Sequence, residues 1–157
     1  MPTQSEDTTD ANERATVGAS ILAGAPHQGL KATDFMNRQC GFIHEAEIQM
    51  AAAGIPIDTL TIGNFLASSG EVPPGIRRHG LATYLHDLVA SAPVPASGSF
   101  YAAAVVEASV RRQIQASAQR IAHAADAGPI FDMETVLDVE TAAARTALAR
   151  TGGPASA

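Results

Sequence analysis

The chain has 157 residues, of which 46% are hydrophobic, 4% aromatic and 17% charged, with a formal net charge of -6 and no Trp. That length fits one domain with a substantial core, the shortage of aromatics argues against a β-sandwich or barrel, and the acidic balance argues against direct nucleic-acid binding through clustered Lys and Arg. Ala makes up about one residue in five, which favours helices packed closely through small side chains. The charged share lies below the roughly 25% usual for soluble domains, so part of the surface is neutral or covered by a partner.

Residues 1–9 read as a disordered leader of Thr, Ser, Asp and Gln. A helix is expected from about Asp10, with Val17, Ile21 and Leu22 at helical spacing and an end near Gly24. The stretch through Pro26 and Gly29 is a loop. A second helix should start at Thr33 or Asp34, either of which can cap it. It carries Met36, Cys40, Ile43, Ala46, Met50 and Ala53 on one stripe, and Gly54 is its natural stop.

Ile55-Pro56-Ile57 is extended by the restriction before Pro. Asp58 then caps a short helix through Leu60, Ile62, Phe65 and Leu66, closed by Gly70. Residues 71–80, with Pro73-Pro74-Gly75 and Arg77-Arg78, read as a loop. Leu81, Tyr84, Leu85, Leu88 and Ala92 follow the i, i+3, i+4, i+7 rule of an amphipathic helix, stopped by Pro93 and Pro95. From about Ser97 to Ala127 nothing after Gly98 interrupts a long helix, striped by Val110, Ile114, Ala118, Ile121 and Ala125. Gly128-Pro129 breaks it, and Asp132 caps a last helix through Met133, Val136, Leu137, Ala144 and Leu148.

The expected fold is therefore all-α: a small orthogonal helical bundle over 10–95, then a long antiparallel helical hairpin over 97–149, then a flexible tail over 150–157. Two helices cannot cover their own apolar stripes completely, so the hairpin must dock on something.

Chemistry-bearing motifs are sparse. Gly24-Ala-Pro-His-Gln-Gly29-Leu30-Lys31 falls short of a phosphate-binding loop, because Leu30 stands where Lys is needed and a helix precedes it. His44-Glu45-Ala46-Glu47-Ile48 opens like a zinc-protease helix but ends on Ile48. Cys40 and His44 could share a helix face, yet they are two of four zinc ligands with no second pair; Cys40 reads as core and His44 as surface. His86-Asp87 points its two side chains about 100° apart, a poor dyad, and no GxSxG elbow accompanies the serines. No catalytic, cofactor or metal site is expected. Arg77-Arg78 and Arg111-Arg112 read as solvated charge, or as contacts to an anion or an acidic partner. The single Cys40 allows no internal disulfide and fits a reducing compartment. Neither a membrane span nor a secretory signal appears, and a cytoplasmic location is expected.

The motifs in order resemble the N-terminal domain of DnaB-type replicative helicases. They are Asp34-Phe35, Gly54-Ile55-Pro56-Ile57-Asp58, Gly80 with Tyr84-Leu85 and Leu88, Pro93, Tyr101, Arg111-Arg112, and Asp132-Met133-Glu134-Thr135-Val136-Leu137-Asp138. The similarity runs from about Glu13 to Leu148. In place of the family's longer segment between Leu22 and Leu30 stands a short Pro/Gly loop, and Cys40 replaces an early His.

The resemblance implies a non-catalytic collar domain associated with DNA replication, lacking the ATPase motor, whose hairpin pairs between subunits. Self-association is then expected through Val110, Ile114, Ile121, Val136, Leu137 and Leu148, giving a dimer or larger homo-oligomer. A replicative helicase or primase is the implied partner. An alternative is a nucleic-acid-binding regulator, or a degenerate helicase relic, using Arg77, Arg78, Arg111 and Arg112.

Overall fold

The computed structural model describes residues 4–92 and 94–152; Pro93, expected to stop a helix, lies outside them, as do the ends of the leader and tail. Among the described residues there are seven α-helices: α1 (Gln4–Ala23), α2 (Arg38–Ala52), α3 (Thr59–Ser69), α4 (Pro74–His79), α5 (Leu81–Ala90), α6 (Gly98–Ala127) and α7 (Met133–Ala149). Short 3-10 turns lie at Ala32–Asp34, Pro95–Ser97 and Ile130–Asp132, and no strand occurs among the described residues. The all-α fold is as the sequence implies. Two compact units are distinguished, Met1–Val105 and Val106–Ala157. The division falls inside α6, about ten residues beyond the expected break, because Ala102 and Val105 in its first turns are buried with the first unit's core.

Within the first unit α1 is central. Every residue from Ala15 to Ile21 is buried, and a helix covered all round must be packed on several sides. Both α2 and α5 lie against it, together with the turn at Pro95–Ser97. Small residues make this possible: a Cβ at Gly18 would run into the carbonyl oxygen of Leu88 on α5. One at Gly41 would sit 2.6 Å from the Ala32 carbonyl oxygen. The larger core residues are Ile43, Met50, Ile62, Ile76, Leu85 and Leu88, all essentially inaccessible.

Three element boundaries differ from expectation. The first helix starts at Gln4, not near Asp10, where Asp7 in the first turn suits the positive end of the helix dipole. The cap of α2 is Asn37, whose side chain accepts from the backbone N–H groups of Gln39 and Cys40, instead of Thr33 or Asp34. Those two belong to the preceding 3-10 turn, in which Asp34 is buried and accepts from the Lys31 N–H.

Third, the Pro-rich loop contains α4. Pro74 occupies its first turn, where a missing N–H costs nothing, and Ile76 is its buried anchor.

Other boundaries match. Gly54, at φ +68°, closes α2, with the Ile55 N–H donating to the Met50 carbonyl and the Gly54 N–H to Ala51. Asp58 caps α3 by accepting from the N–H groups of Leu60 and Thr61, and the Thr61 hydroxyl accepts from the Asp58 N–H.

The approach of α1 to α5 gives a test with an unusual sign. Gly to Ala in an exposed helix normally stabilises by up to about 1 kcal/mol. At Gly18 the added methyl has no space, so Gly18→Ala should cost about 1–3 kcal/mol in urea denaturation. An unchanged or raised midpoint would show that the helices are not in this contact.

Candidate interaction surface

The second unit consists of the later turns of α6 and of α7, joined by the turn at Ile130–Asp132. Along this part of α6 Ser109, Val110 and Ser117 are buried, and Ile114, Ile121 and Ala124 are partly covered. Val110, Ile114, Ser117, Ile121 and Ala124 are spaced alternately by four and three, the spacing of a helix that packs along a partner helix. Ala118 and Ala125, expected on this stripe, are exposed, and Ser117 and Ala124 take their places. On α7 the covered positions are Met133, Val136, Glu140, Ala144 and Ala147.

One ion pair ties the two helices together. Arg120 Nε donates to Glu140 Oε1 at 2.6 Å and Nη2 to Oε2 at 2.8 Å, a two-pronged contact 20 residues apart in sequence. The same Nη2 also reaches the Ser117 hydroxyl at 3.2 Å. The Arg120 guanidinium holds the Glu140 carboxyl below its usual range. Sequence reasoning missed this pair because an isolated Arg and Glu on separate helices carry no periodic pattern.

The six residues expected to mediate self-association thus fall into two groups. Val110, Ile114, Ile121 and Val136 belong to the covered stripes, and Val110 is almost inaccessible. Leu137 and Leu148 face outward at 44% and 50% exposure. They are eleven residues apart, which places them on one face of α7 three turns apart. Val139, Ile130 and Phe131 in this unit are more exposed still. Such apolar side chains left in water mark a face that a partner can cover.

The arginine candidates are divided between the units. On α4, Arg77 donates to the Val72 carbonyl at 2.8 Å, while Arg78 is exposed. Arg111 is exposed and paired with Glu107 one turn earlier on α6, at 2.6 Å, whereas Arg112 is partly covered.

The residues weighed for chemistry are inside the first unit. Cys40 is fully buried with its sulfur 3.7 Å from the Tyr84 hydroxyl, and burial pushes its thiol up to about 12. His44, expected on the surface, is fully buried, stacked at a tilt on Phe35 with ring centroids 5.3 Å apart. Its Nδ1 lies 3.2 Å from Glu47 Oε2. Cys40 and His44 therefore turn to different neighbours, and no group of three or more metal-ligating side chains occurs among the described residues.

Glu47 is the strongest surprise. It is buried between α1 and α2 with the Ser20 hydroxyl 2.7 and 2.8 Å from its two oxygens. Ser20 also lies within reach of the Val17 carbonyl at 2.8 Å, so its single proton has two claimants. The Ser20 hydroxyl is the donor toward both the Glu47 carboxyl and the Val17 carbonyl, so the two share its proton. Burial pushes the Glu47 carboxyl up, against the opposing hydrogen bonds of His44 and Ser20. With no side-chain exposure the cluster has no route to a substrate, and its role is to join α1 to α2.

Two tests follow from these contacts. A carboxyl whose folded pKa is raised contributes most below its unfolded value and loses that contribution as pH rises through the folded value. The stability of the parent relative to Glu47→Gln should therefore be level below the ordinary value of 4.5 and fall above it, by up to about 1.4 kcal/mol per pH unit. Urea titrations at several pH values read this, and a difference that rises with pH contradicts it. For Glu140 the sign reverses: its lowered pKa gives stability that is present above 4.5 and lost as pH falls through the lowered value. Arg120→Ala should lower Tm by a few degrees at neutral pH, and the deficit should shrink in acid as Glu140 is protonated.

Comparison with known proteins places this architecture. Residues 15–107 match the family model described as DnaB-like helicase N terminal domain. The Replicative DNA helicase DnaB of Leifsonia xyli subsp. xyli (strain CTCB07) is 29% identical over 92 residues, 59% of this chain and 19% of that protein. That of Mycobacterium leprae (strain TN) is 28% identical over 122 residues, 75% of this chain and 20% of that protein. The chain thus spans about a fifth of the length of these relatives. The crystal structure of the N-terminal domain of DnaB helicase from Mycobacterium tuberculosis superposes with a TM-score of 0.67 at 25% identity, over 87% of this chain and 95% of that one. With more than half its residues inside the family model and the same all-α fold, the chain belongs to the DnaB-like helicase N-terminal domain family.

Proposed function

We propose that this chain acts as a non-catalytic assembly domain in DNA replication, associating with itself through the outer face of its hairpin and engaging a replicative helicase or a primase. The observation that carries this reading is the outward stripe of α7. Leu137 and Leu148 stand about half exposed on one face, while the seam residues Val110, Ile114, Ile121 and Val136 are covered to a greater degree. A helix with one apolar stripe covered and a second left in water has a face to spare for another chain. Similarity to replicative helicases over their N-terminal fifth supports the setting, since the matched region is the non-motor part.

The basic residues favour this reading over direct phosphate binding. Arg77 is engaged by a backbone carbonyl and Arg111 by Glu107, and the chain as a whole is acidic.

Light scattering on the purified chain should give a dimer or larger at micromolar concentration. The double variant Leu137→Asp/Leu148→Asp puts two carboxylates where the partner would bury two leucines. It should weaken that association by at least about a hundredfold while leaving helicity by circular dichroism unchanged. A parent chain that stays monomeric at high micromolar concentration defeats the reading. DNA binding with a steep salt dependence would favour the arginine-based alternative instead.

A further inference from the structure

We infer that the loop over 24–31 is an acid-released latch: a neutral His27 pins the start of α6 to α1, and a protonated His27 lets it go. This is a property of the first unit and is independent of how the chain associates.

The loop is the one whose sequence falls short of a phosphate-binding turn. It leaves α1 through Gly24 and turns again at Gly29, both in the left-handed region at φ +69° and +81°. The Ala25 N–H donates to the Ser20 carbonyl at 3.2 Å, and Leu30 is buried at the far side. Between these anchors His27 lies against the first residue of α6. A Cβ at Gly98 would stand 2.7 Å from His27 Cε1, 2.9 Å from its Nε2 and 3.0 Å from the Ala19 Cβ of α1. The imidazole therefore occupies the space that a side chain at Gly98 would need.

This position suits a neutral ring. One imidazole nitrogen is held by the Thr16 backbone of α1. The other, Nε2, is out of water with no hydrogen-bond partner among the described residues. A second proton there would create a charged N–H with nothing to accept it. On α2 the titratable neighbour is His44, whose own Nε2 is buried and unpartnered among the described residues in the same way. The acid of the cluster, Glu47, is already engaged by His44 Nδ1 and by the Ser20 hydroxyl. What α1 and α6 bring against the ring is the Thr16 backbone, Ala19 and Gly98, none of them acidic. The start of α6 adds the positive end of a helix dipole, which disfavours a cation further. Burial first, and then repulsion from His44, hold the His27 imidazole below its ordinary value of 6.5.

Once the ring swings into water it takes up its proton at that ordinary value. The closed loop is thus fully favoured above 6.5 and weakens as pH falls below it. The turns of α6 beside Gly98 are the ones that lose their support. Ala102 and Val105 are buried there, and the same helix continues into the hairpin.

Amide hydrogen exchange on the full chain, corrected for the intrinsic effect of pH, tests the latch. The amides of Ala102 to Val105 bond back to the first turn of α6, so their opening reports its release. That opening should increase by up to about tenfold per pH unit below 6.5, while Leu85 and Leu88 on α5 stay unchanged. His27→Phe keeps a ring and removes the titration, and should make the opening independent of pH between 7.5 and 5. Gly98→Ala puts a methyl where the imidazole sits. It should raise the opening at pH 7.5 at least about tenfold and return the His27 ring, followed by its NMR shift, to 6.5. A pH dependence that is absent from the parent, survives in His27→Phe or appears equally on α5 overturns the inference. So does a Gly98→Ala chain whose exchange and His27 titration match the parent, a result that can be read even if His27→Phe does not fold.

Discussion

The first unit depends on a carboxylate that is entirely out of water. Glu13 on α1 accepts from the backbone N–H groups of Met36 and Asn37 at 2.7 and 2.8 Å, joining residues 23 and 24 positions apart. Those donors lie just ahead of α2, and Asn37 is its cap. The Asn37 amide in turn donates to Asp10 at 2.7 Å, one helical turn before Glu13. The start of α2 is therefore fixed by two acids of α1 as well as by its own Asn37 cap. A buried ionisable group without partners would be severely destabilising, and here two backbone donors offset its loss of water. Once this end is set, α2 runs along α1 so that Glu47 meets Ser20 nearly two turns further on.

The same interaction explains what a reading of the sequence misses. Amphipathic patterning assumes that polar residues mark the wet face. On α1 the residues Glu13, Thr16 and Ser20 recur at i, i+3 and i+7, the spacing of a core stripe, yet their chemistry disguises it. Each has a partner: Glu13 the donors before α2, Thr16 the Asn12 carbonyl at 2.7 Å, and Ser20 the Glu47 carboxyl. On α2, His44 and Glu47 are disguised in the same way. Where the core was apolar, as with Leu81, Tyr84, Leu85 and Leu88 on α5, period alone placed the helix and its buried face correctly. Caps were legible when local: Asp58 serves the residues just after it, whereas the α2 boundary depends on Glu13, far away in sequence. The short α4 was hidden because two prolines and a glycine suggest a loop, although one proline suits a first helical turn.

In the hairpin the difficulty is of another kind. The apolar residues of α6 and α7 were identified from composition and spacing, but periodicity cannot tell a stripe that faces the neighbouring helix from one that faces solvent. The distinction comes from which positions are small or ion-paired. Ala147 and Ser117 are buried although neither is a large apolar residue, and Glu140 is nearly so because Arg120 reaches it. Large side chains are displaced outward as a result, which leaves Leu137, Val139 and Leu148 exposed.

That distribution alters the meaning of the low charge. Ordinary helical domains put charge on the faces that small core residues leave free, and α7 instead places leucines there. The buried polar joints of the first unit act in the opposite direction. They hold α1 and α2 in one register, since an unmatched acid is far more costly than an unmatched methyl. Fixed packing within the first unit and uncovered apolar surface on the hairpin are complementary properties. An assembly domain needs both, because an interface built on a scaffold that can slip would lose its binding energy to ordering.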